Sequence, residues 1–231
     1  MRLTRRDTLM LATASAALGV APTLAADGIG ALETRVNEVW GTPVGAGRVE
    51  LADAAAIFRN QRLETGEDSA AGVRFIDASK LTLGSNANAV VDDYVFAGAA
   101  SKSAVTLAKG AFRFISGQMP EKNMKIQTPT VVIGIRGTEL KIDVYEDGST
   151  ELSTISGAAN IVSRATSEAL DILAGHSVVA DSNGVFGAVR DFIHKSKDEA
   201  IERGLSKVRS KIPRPDIPSL PGLPGIPNPF R

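Results

Sequence analysis

The stretch that decides the fold is TPTVVIGIRGTELKI, from Thr128 to Ile142, which reads as two β-strands whose apolar residues fall on opposite faces. Its apolar residues fall on odd positions up to Ile135 and on even positions from Leu140. Successive side chains of a strand point to opposite faces, so in a regular strand the apolar residues up to Ile135 would lie on one face and those from Leu140 on the other. The sequence therefore predicts a shift of parity between Ile135 and Leu140.

The residues between the two halves indicate how the shift is made. Gly134 and Gly137 permit the bulge or close backbone approach that a change of parity requires. Arg136 carries five fixed donors suited to free carbonyls or a carboxylate. We predict that Gly134, Arg136, Gly137 and Thr138 form a structural corner, with ligand binding by Arg136 as the alternative.

The same alternation of period two extends over residues 44–184. Short apolar runs are separated there by clusters of Gly, Asn, Asp and Ser, which is typical of strands joined by turns. The pattern predicts an all-β domain, and its even rhythm suits either a β-sandwich or an irregular β-solenoid.

Composition limits the chemistry. The 231 residues include 26 basic and 26 acidic side chains, so no net charge attracts the protein to nucleic acid. There are two histidines and no cysteines, which excludes thiolate ligands and disulfides. His176 and His194 belong to different segments and make a poor metal site. We expect no cofactor, no metal site and no catalytic residues.

The N-terminus has the pattern of an export signal. Residues 1–26 combine three arginines within the first six residues, an Ala-rich apolar run and small residues before Ala25 and Ala26. The adjacent Arg5 and Arg6 resemble the twin-arginine motif of the Tat export route. We expect a cleaved signal peptide and a periplasmic or secreted protein, with an uncleaved membrane anchor as the alternative.

Two segments show helical spacing. Residues 27–43 place apolar residues three and four apart, at Ile29, Leu32, Val36, Val39 and Trp40, which predicts a short helix. Residues 185–212 repeat this spacing with Lys and Arg on the opposite face, which predicts an amphipathic helix. This helix would pack on the β domain, self-associate or contact a membrane surface peripherally.

The last segment, residues 213–231, is rich in proline at every third position. Polyproline II has three residues per turn, so Ile217, Leu220, Leu223 and Ile226 would form one apolar stripe. These four residues are candidate docking residues, and a flexible tail is the alternative.

Several stretches together resemble the FecR domain, a periplasmic all-β module. The resemblance covers roughly residues 49–180 and is carried by RLETGEDSAAGVRFIDASKLTLGSNANAVVDDY, GAFRFISG, IQTPTVVIGIRGTELKI, STISGAANIV and ILAGHSVV. It implies a solenoid-like or sandwich-like module. In iron-transport members of the family, the domain passes a signal from an outer-membrane receptor to a sigma factor. Ala78 stands where the family usually has Gly, which disfavours a positive-φ turn there.

The resemblance does not transfer as a whole, because those regulators have a cytoplasmic anti-sigma segment before their membrane span, whereas an export signal starts this chain. We expect a non-enzymatic binding or assembly module of the cell envelope. The alternatives are a periplasmic signalling component that acts through a membrane receptor or sensor, and a hydrolase with an unrecognised carboxylate or Ser site. The expected partner is an envelope protein or receptor, not nucleic acid.

The export signal generates a first prediction. Changing Arg5 and Arg6 together to Lys is expected to leave the precursor uncleaved in the cytoplasm, because the Tat route reads the paired guanidinium groups. Immunoblots of fractionated cells measure this, with Arg2→Lys as the matched control. Normal maturation of the double variant would exclude the Tat route and leave general secretion.

Overall fold

The structure, a computed structural model, describes residues 28–97 and 100–192. Within these residues the chain forms fifteen β-strands and the 3-10 helix Glu121–Asn123. The strands before residue 98 are β1 Gly30–Val36, β2 Val39–Thr42, β3 Val49–Glu50, β4 Ala56–Ile57, β5 Gln61–Thr65, β6 Ala70–Phe75, β7 Lys80–Leu83 and β8 Asn88–Val95. Those after it are β9 Lys102–Ile115, β10 Met124–Gln127, β11 Val131–Val144, β12 Thr150–Ser163, β13 Ala169–Leu173, β14 His176–Ala180 and β15 Arg190–Asp191.

The strands are arranged in two layers around one core. The first layer contains β4, β1, β6, β7, β14 and β15, and the second contains β3, β2, β5, β8, β10 and β13. All described pairings are antiparallel except that of β10 with β9. The layers meet where the Phe75 ring of β6 stacks on the Tyr94 ring of β8, with centroids 4.5 Å apart. The all-β prediction is confirmed for the described residues.

Three strands of 14 residues each, β9, β11 and β12, run through both layers. The first part of β9 pairs with β8 and β10, whereas its last residues pair with β7 and β11. β12 pairs with β14 before Ser156 and with β13 after Gly157. Each of these strands also changes the parity of its buried residues midway. The long strands therefore bend from one layer into the other and join the two into one continuous sheet.

The parity shift of the opening stretch lies within β11, at a bulge. The register with β12 moves from Arg136 opposite Ala158 to Glu139 opposite Ser156, so Gly137 and Thr138 together face Gly157 alone. Gly137 has a φ of 53°. The buried side chains change from odd to even positions across this bulge. One continuous strand with a bulge thus replaces the two strands suggested by the sequence.

Gly157 makes the bulge sterically feasible. Its φ is 71°, and a Cβ there would lie 2.3 Å from the carbonyl oxygen of Gly137. A second irregularity follows between Glu139 and Leu140, where β12 carries Ile155 as its own extra residue. Both strands therefore change parity at the same level, and both halves keep their apolar residues in the core.

The helix predicted for residues 27–43 is wrong, because this segment forms β1 and β2. Leu32 and Val36 are buried as alternate strand positions around Thr34, and Asn37, with a φ of 52°, turns the chain before Val39. Strand alternation separates Leu32 from Val36 by four residues, and the turn separates Val36 from Val39 by three. The same spacings occur on one face of a helix. The β structure accordingly begins before the predicted boundary at residue 44.

The amphipathic helix predicted to begin at residue 185 is not present over residues 185–192. Phe186 forms a bridge with Ala180, and β15 pairs with β14. The amide of Gly187 donates to the carbonyl of Val179 at 2.8 Å, so the backbone hydrogen bonds of this segment go to a sheet edge. Residues 193–212, the signal peptide at 1–26 and the tail at 213–231 lie outside the described residues. Within the described residues there is no helix long and apolar enough to cross a membrane.

The bulge generates a second prediction. Gly157→Ala is expected to lower the free energy of unfolding by about 1–3 kcal/mol, because the new methyl group meets backbone and φ stays positive. The matched control is Gly134→Ala, whose Cβ would have no neighbour closer than 3.7 Å; we expect a change within about 0.5 kcal/mol.

Urea denaturation followed by circular dichroism measures both variants. Gly137→Val, at the positive φ on the facing strand, is expected to behave like Gly157→Ala. Equal stability of the Gly157 and Gly134 variants would show that the long strands do not depend on this close approach.

Candidate functional site

Arg136, Gly137 and Thr138 lie at the bulge of β11, Gly134 lies in the regular strand before it, and the four residues do not converge on a pocket. Arg136 is exposed, and its guanidinium lies 2.9 Å from Asp171 on β13. Asp171 also accepts a hydrogen bond from the Asn160 side chain at 2.9 Å. An exposed ion pair of this kind contributes only about 0–1 kcal/mol. Arg136 thus links neighbouring strands at the surface.

The other corner residues differ in their roles. Thr138 is buried, its hydroxyl donates to the carbonyl of Ser156, and its amide donates to the Ser116 hydroxyl at 2.9 Å. These bonds satisfy the backbone groups that the bulge removes from the regular ladder. Gly134 has ordinary contacts only. The glycine that sequence reasoning missed is Gly157, whose stretch SGAAN gives a turn signal but no indication of its partner.

The turn before β11 is fixed by threonine hydroxyls. The hydroxyl of Thr150 lies 2.9 Å from that of Thr128 and 3.1 Å from that of Thr130. The Arg164 guanidinium donates to the carbonyl of Thr128 at 3.0 Å. All three threonines are at least nine-tenths buried, so the TPT part of the opening stretch forms a closed structural turn.

Buried polar groups are most concentrated around Asp77, at the turn between β6 and β7. One carboxylate oxygen accepts hydrogen bonds from the Ser79 amide at 3.0 Å, from the Ser79 hydroxyl at 2.6 Å and from the Tyr94 hydroxyl. The other oxygen accepts from the Met119 amide at 3.2 Å. The backbone carbonyl of Asp77 accepts from the Gln118 amide at 2.7 Å. The carboxylate therefore joins the turn to both β8 and the loop after β9.

The backbone around Asp77 is tightly constrained. Ala78 has a φ of 67°, so the positive-φ turn is present although Ala replaces the family's usual Gly. A Cβ at Gly117 would lie 2.2 Å from the Asp77 carbonyl oxygen. This glycine lets the loop after β9 lie directly against the turn.

The Asp77 cluster has polar groups but no access for a substrate. Asp77 and Ser79 are fully buried, and Tyr94 is 2 % exposed. Burial, together with the hydrogen bond to Asp77 and the charge of that carboxylate, raises the pKa of Tyr94 above its ordinary value. The cluster holds the two layers together and, with both carboxylate oxygens bonded, offers no free base.

No described residues form a metal centre. Residues 28–97 and 100–192 contain no group of three or more His, Cys, Asp or Glu side chains suited to a metal ion. His176 lies 3.7 Å from Asp191, which ties β14 to β15 when the imidazole is protonated. His194 and the candidate docking residues Ile217, Leu220, Leu223 and Ile226 lie outside the described residues.

The described surface carries shallow depressions. One of about 290 Å³ lies over Gly72 on the outer face of the first layer, between Glu33, Lys80 and Arg113. A second, of about 310 Å³, lies on the second layer beside Lys102 and Lys125. Both are near the lower end of the volumes of small-molecule sites.

The Asp77 cluster generates a third prediction. Tyr94→Phe is expected to lower the free energy of unfolding at pH 7 by about 1–3 kcal/mol, because it removes a donor from a buried carboxylate. Tyr145→Phe, at a 47 % exposed tyrosine bonded to Glu151, is the control.

The pH dependence of the Tyr94 effect follows from its pKa. Because the folded pKa of Tyr94 is raised, its contribution is complete below the unfolded pKa of about 10 and is lost as the pH rises above that value. Urea denaturation at pH 7, 9 and 10.5 should show the difference between wild type and Tyr94→Phe narrowing only at the highest pH. If the difference in the free energy of unfolding between wild type and Tyr94→Phe stayed constant from pH 7 to pH 10.5, the burial of the Tyr94 phenol would be contradicted.

Comparisons with known proteins agree with the resemblance in the sequence. A family model described as FecR protein matches residues 61–160. No curated protein matches the chain. Two crystal structures of a "putative anti-sigma factor" from Parabacteroides distasonis, at 2.50 and 1.65 Å resolution, are similar at 13 % identity and a TM-score of 0.47.

The aligned part covers 57 % of this chain and 59 % of each crystal structure, so the chain spans less than two thirds of their length. The family match extends from the start of β5 to Asn160 of β12 and includes the Asp77 cluster and the whole β11 bulge. The resemblance predicted from the sequence is confirmed over these residues. Residues 61–160 of the chain therefore match the FecR family model.

Proposed function

We propose that the protein is an exported, non-enzymatic module of the cell envelope that binds a protein partner or a ligand. The observation that carries the proposal is the FecR domain at residues 61–160. The stretches that carry the resemblance have structural roles. The GIRGT stretch forms the bulge with Gly157, and the IDAS stretch forms part of the Asp77 cluster. The partner or ligand would therefore bind at the outer surface or at the sheet edges.

The non-enzymatic role is supported by the state of the buried polar groups. Asp77, Ser79 and Tyr94 bond to one another and are closed to solvent. A general base must reach the proton that it abstracts, and Asp77 has no accessible face. The competing hydrolase proposal would need a different carboxylate or serine, on the open surface.

The location follows from the sequence of residues 1–26, which we propose is a cleaved signal peptide for the periplasm. A protein exported in this way meets its partners in the envelope. The signalling alternative requires the protein to act through a membrane receptor or sensor, in line with the role of the resembling domain in iron transport. The identity of the captured partner separates a signalling component from an assembly module.

We propose that the Pro-rich segment 213–231 supplies one docking element. In a polyproline II conformation, Ile217, Leu220, Leu223 and Ile226 form an apolar stripe on a stiff rod, and such a rod loses little entropy on binding. The stripe would dock in an apolar groove of an envelope partner or of this chain's own β domain.

The fourth prediction tests the docking element. Changing the four apolar residues to Ser is expected to abolish chemical cross-linking of the full chain to its partner in intact cells, since it removes the stripe. The matched control changes Ser219 to Ala and Gly222 and Gly225 to Ser, which lie on a different stripe of the same rod. Mass spectrometry of the cross-linked products identifies the partner.

The outcomes separate the proposals. Recovery of a receptor or sensor with wild type and control, but not with the Ser variant, supports signalling, whereas recovery of another envelope protein supports assembly. If wild type forms no cross-link but the Ser variant is cut faster by protease between Arg214 and Arg231, the stripe docks on the chain's own β domain. Identical cross-links and identical proteolysis for both variants would exclude the stripe as a docking element.

A further inference from the structure

Four of the described strands pair with one neighbour only, and β13 is the longest of them. The other three, β3, β4 and β15, have two residues each, whereas β13 has five. Short edge strands are one means by which proteins prevent unwanted strand pairing. β13, with the sequence ALDIL, has no proline, no lysine and no bulge, which are other common means. It is therefore an unprotected edge of the described sheet.

The hydrogen bonds of β13 show which of its main-chain groups are free. The Ala174 amide donates to the Gly157 carbonyl at 3.1 Å, and the Ser163 amide donates to the Glu168 carbonyl at 2.8 Å. Hydrogen-bonded pairs alternate along an antiparallel ladder, so every second residue of β13 bonds to β12. The residues between them direct their amide and carbonyl groups away from β12: Ala169, Asp171 and Leu173. These groups have no hydrogen-bond partner among the residues that the structure describes.

The side chains of β13 suit an added strand. On the outer face, Ala169 is exposed and Leu173 is 59 % exposed. On the inner face, Ile172 is fully buried and Leu170 packs, half-buried, against the core. A strand added beside β13 would extend the core next to Leu170 if it carried apolar residues at alternate positions.

The charge of Asp171 disfavours a second copy of this chain as the added strand. Asp171 is the central residue of β13, so a symmetric antiparallel pair of two β13 strands would place the two carboxylates directly opposite each other. Like charges at directly opposite positions destabilise a strand pair. Arg136, at 2.9 Å, belongs to the same chain and offers each copy one guanidinium for one carboxylate.

The chain's own continuation is also poorly suited to this edge. The Phe192 amide donates to the Gly175 carbonyl at 2.6 Å, so the register of β15, continued, would run along β13. In that register Lys195 would lie opposite Ile172, and Lys197 would follow on the same face. Both ammonium groups would then lie on the core face of the sheet, where an unpaired charge is costly.

We propose that the free edge of β13 binds an extended segment of a second protein by strand addition. The free amide and carbonyl groups recur at every second residue, and another extended polypeptide presents complementary groups at the same spacing. The segment carries apolar residues on the face beside Leu170 and Ile172, and a polar or basic residue opposite Asp171. This inference names the binding surface of the proposed function and rests on it.

The fifth prediction concerns the full chain in intact cells, with Leu173 replaced by the photo-cross-linking amino acid p-benzoylphenylalanine. We expect a cross-link to an envelope protein, which mass spectrometry should assign to one segment with apolar residues at alternate positions. The control carries the same amino acid at Val185, which is 51 % exposed and lies outside β13. The control is not expected to give this product.

Proline variants test whether the main-chain groups of β13 bind the segment. Ala169→Pro removes an outward amide at the first residue of β13, where proline is tolerated, and leaves the ladder with β12 intact. The yield of the cross-link is expected to fall about two- to tenfold, because a hydrogen bond is lost. Ala169→Ser keeps the amide and is expected to leave the yield unchanged. Asp171→Pro, compared with Asp171→Asn, repeats the test at the centre of the strand, and circular dichroism checks that all variants fold.

Amide hydrogen exchange of the isolated mature chain, measured by NMR, tests for the other occupants. The amides of Asp171 and Leu173 are expected to exchange at least about 100-fold faster than those of Leu170 and Ile172, which bond to β12. Slow exchange of the outward amides in a monomer would mean that the chain's own segment covers the edge. Slow exchange in a dimer alone would mean that a second copy covers it, and either result would overturn the proposal.

Two results of the cross-linking would also contradict the edge site. One is a yield from position 173 no higher than that from position 185, and the other is a yield that neither proline variant lowers. Failure of the edge site remains distinguishable from failure of the proposed function. If cross-linking through the Pro-rich segment still identifies an envelope partner, the edge site alone is wrong, whereas loss of both cross-links contradicts the proposed function as well.

Discussion

The close approach of Gly157 to the Gly137 carbonyl is the contact on which the two-layer arrangement depends. β11 and β12 pair along almost their whole lengths, and both pass from one layer to the other at this level. If only one strand shifted parity, its partner would present polar side chains to the core beyond the bulge. The two backbones come so close here that a Cβ at Gly157 would lie 2.3 Å from the Gly137 carbonyl oxygen, and Gly137 itself has a positive φ. The remaining strands of both layers pair onto these long strands or onto their neighbours.

The sequence predicted the parity shift because it depends on the alternation within one strand. It did not predict that Gly157 lies opposite the shift. Gly157 contacts Gly137 through strand pairing, the two residues are 20 apart in the chain, and the spacing of residues within one strand does not indicate which strand pairs with it. The same limit explains the error at the N-terminus. Leu32, Val36 and Val39 have the spacing of a helical face, and only the turn at Asn37, an asparagine with positive φ, shows that they belong to two strands. Asparagine tolerates this conformation better than most residues.

The Asp77 cluster shows why a local preference can mislead. Ala at position 78 disfavours positive φ by about 1 kcal/mol or more relative to Gly, yet the structure holds it at 67°. The surrounding contacts outweigh this preference: the Asp77 side chain accepts four hydrogen bonds, and Gly117 packs against the turn. Each such bond contributes about 0.5–1.5 kcal/mol, and more where the acceptor is charged. The sequence contains Asp77, Ser79 and Tyr94, but only the packing of the two layers brings them together.

The FecR match covers only part of the folded unit. The match over residues 61–160 omits β1 to β4 and β13 to β15, yet β1 pairs with β6 and β14 pairs with β12, so the folded unit extends beyond the match on both sides. The matched part contains strands whose inward side chains fill the core and whose outward side chains lie at the surface. Alternation separates these outward residues from the core residues between them. A change of side chain on the outward face therefore requires no change in the bulge or the Asp77 cluster, and this separation suits a scaffold whose surface can differ while its architecture stays the same.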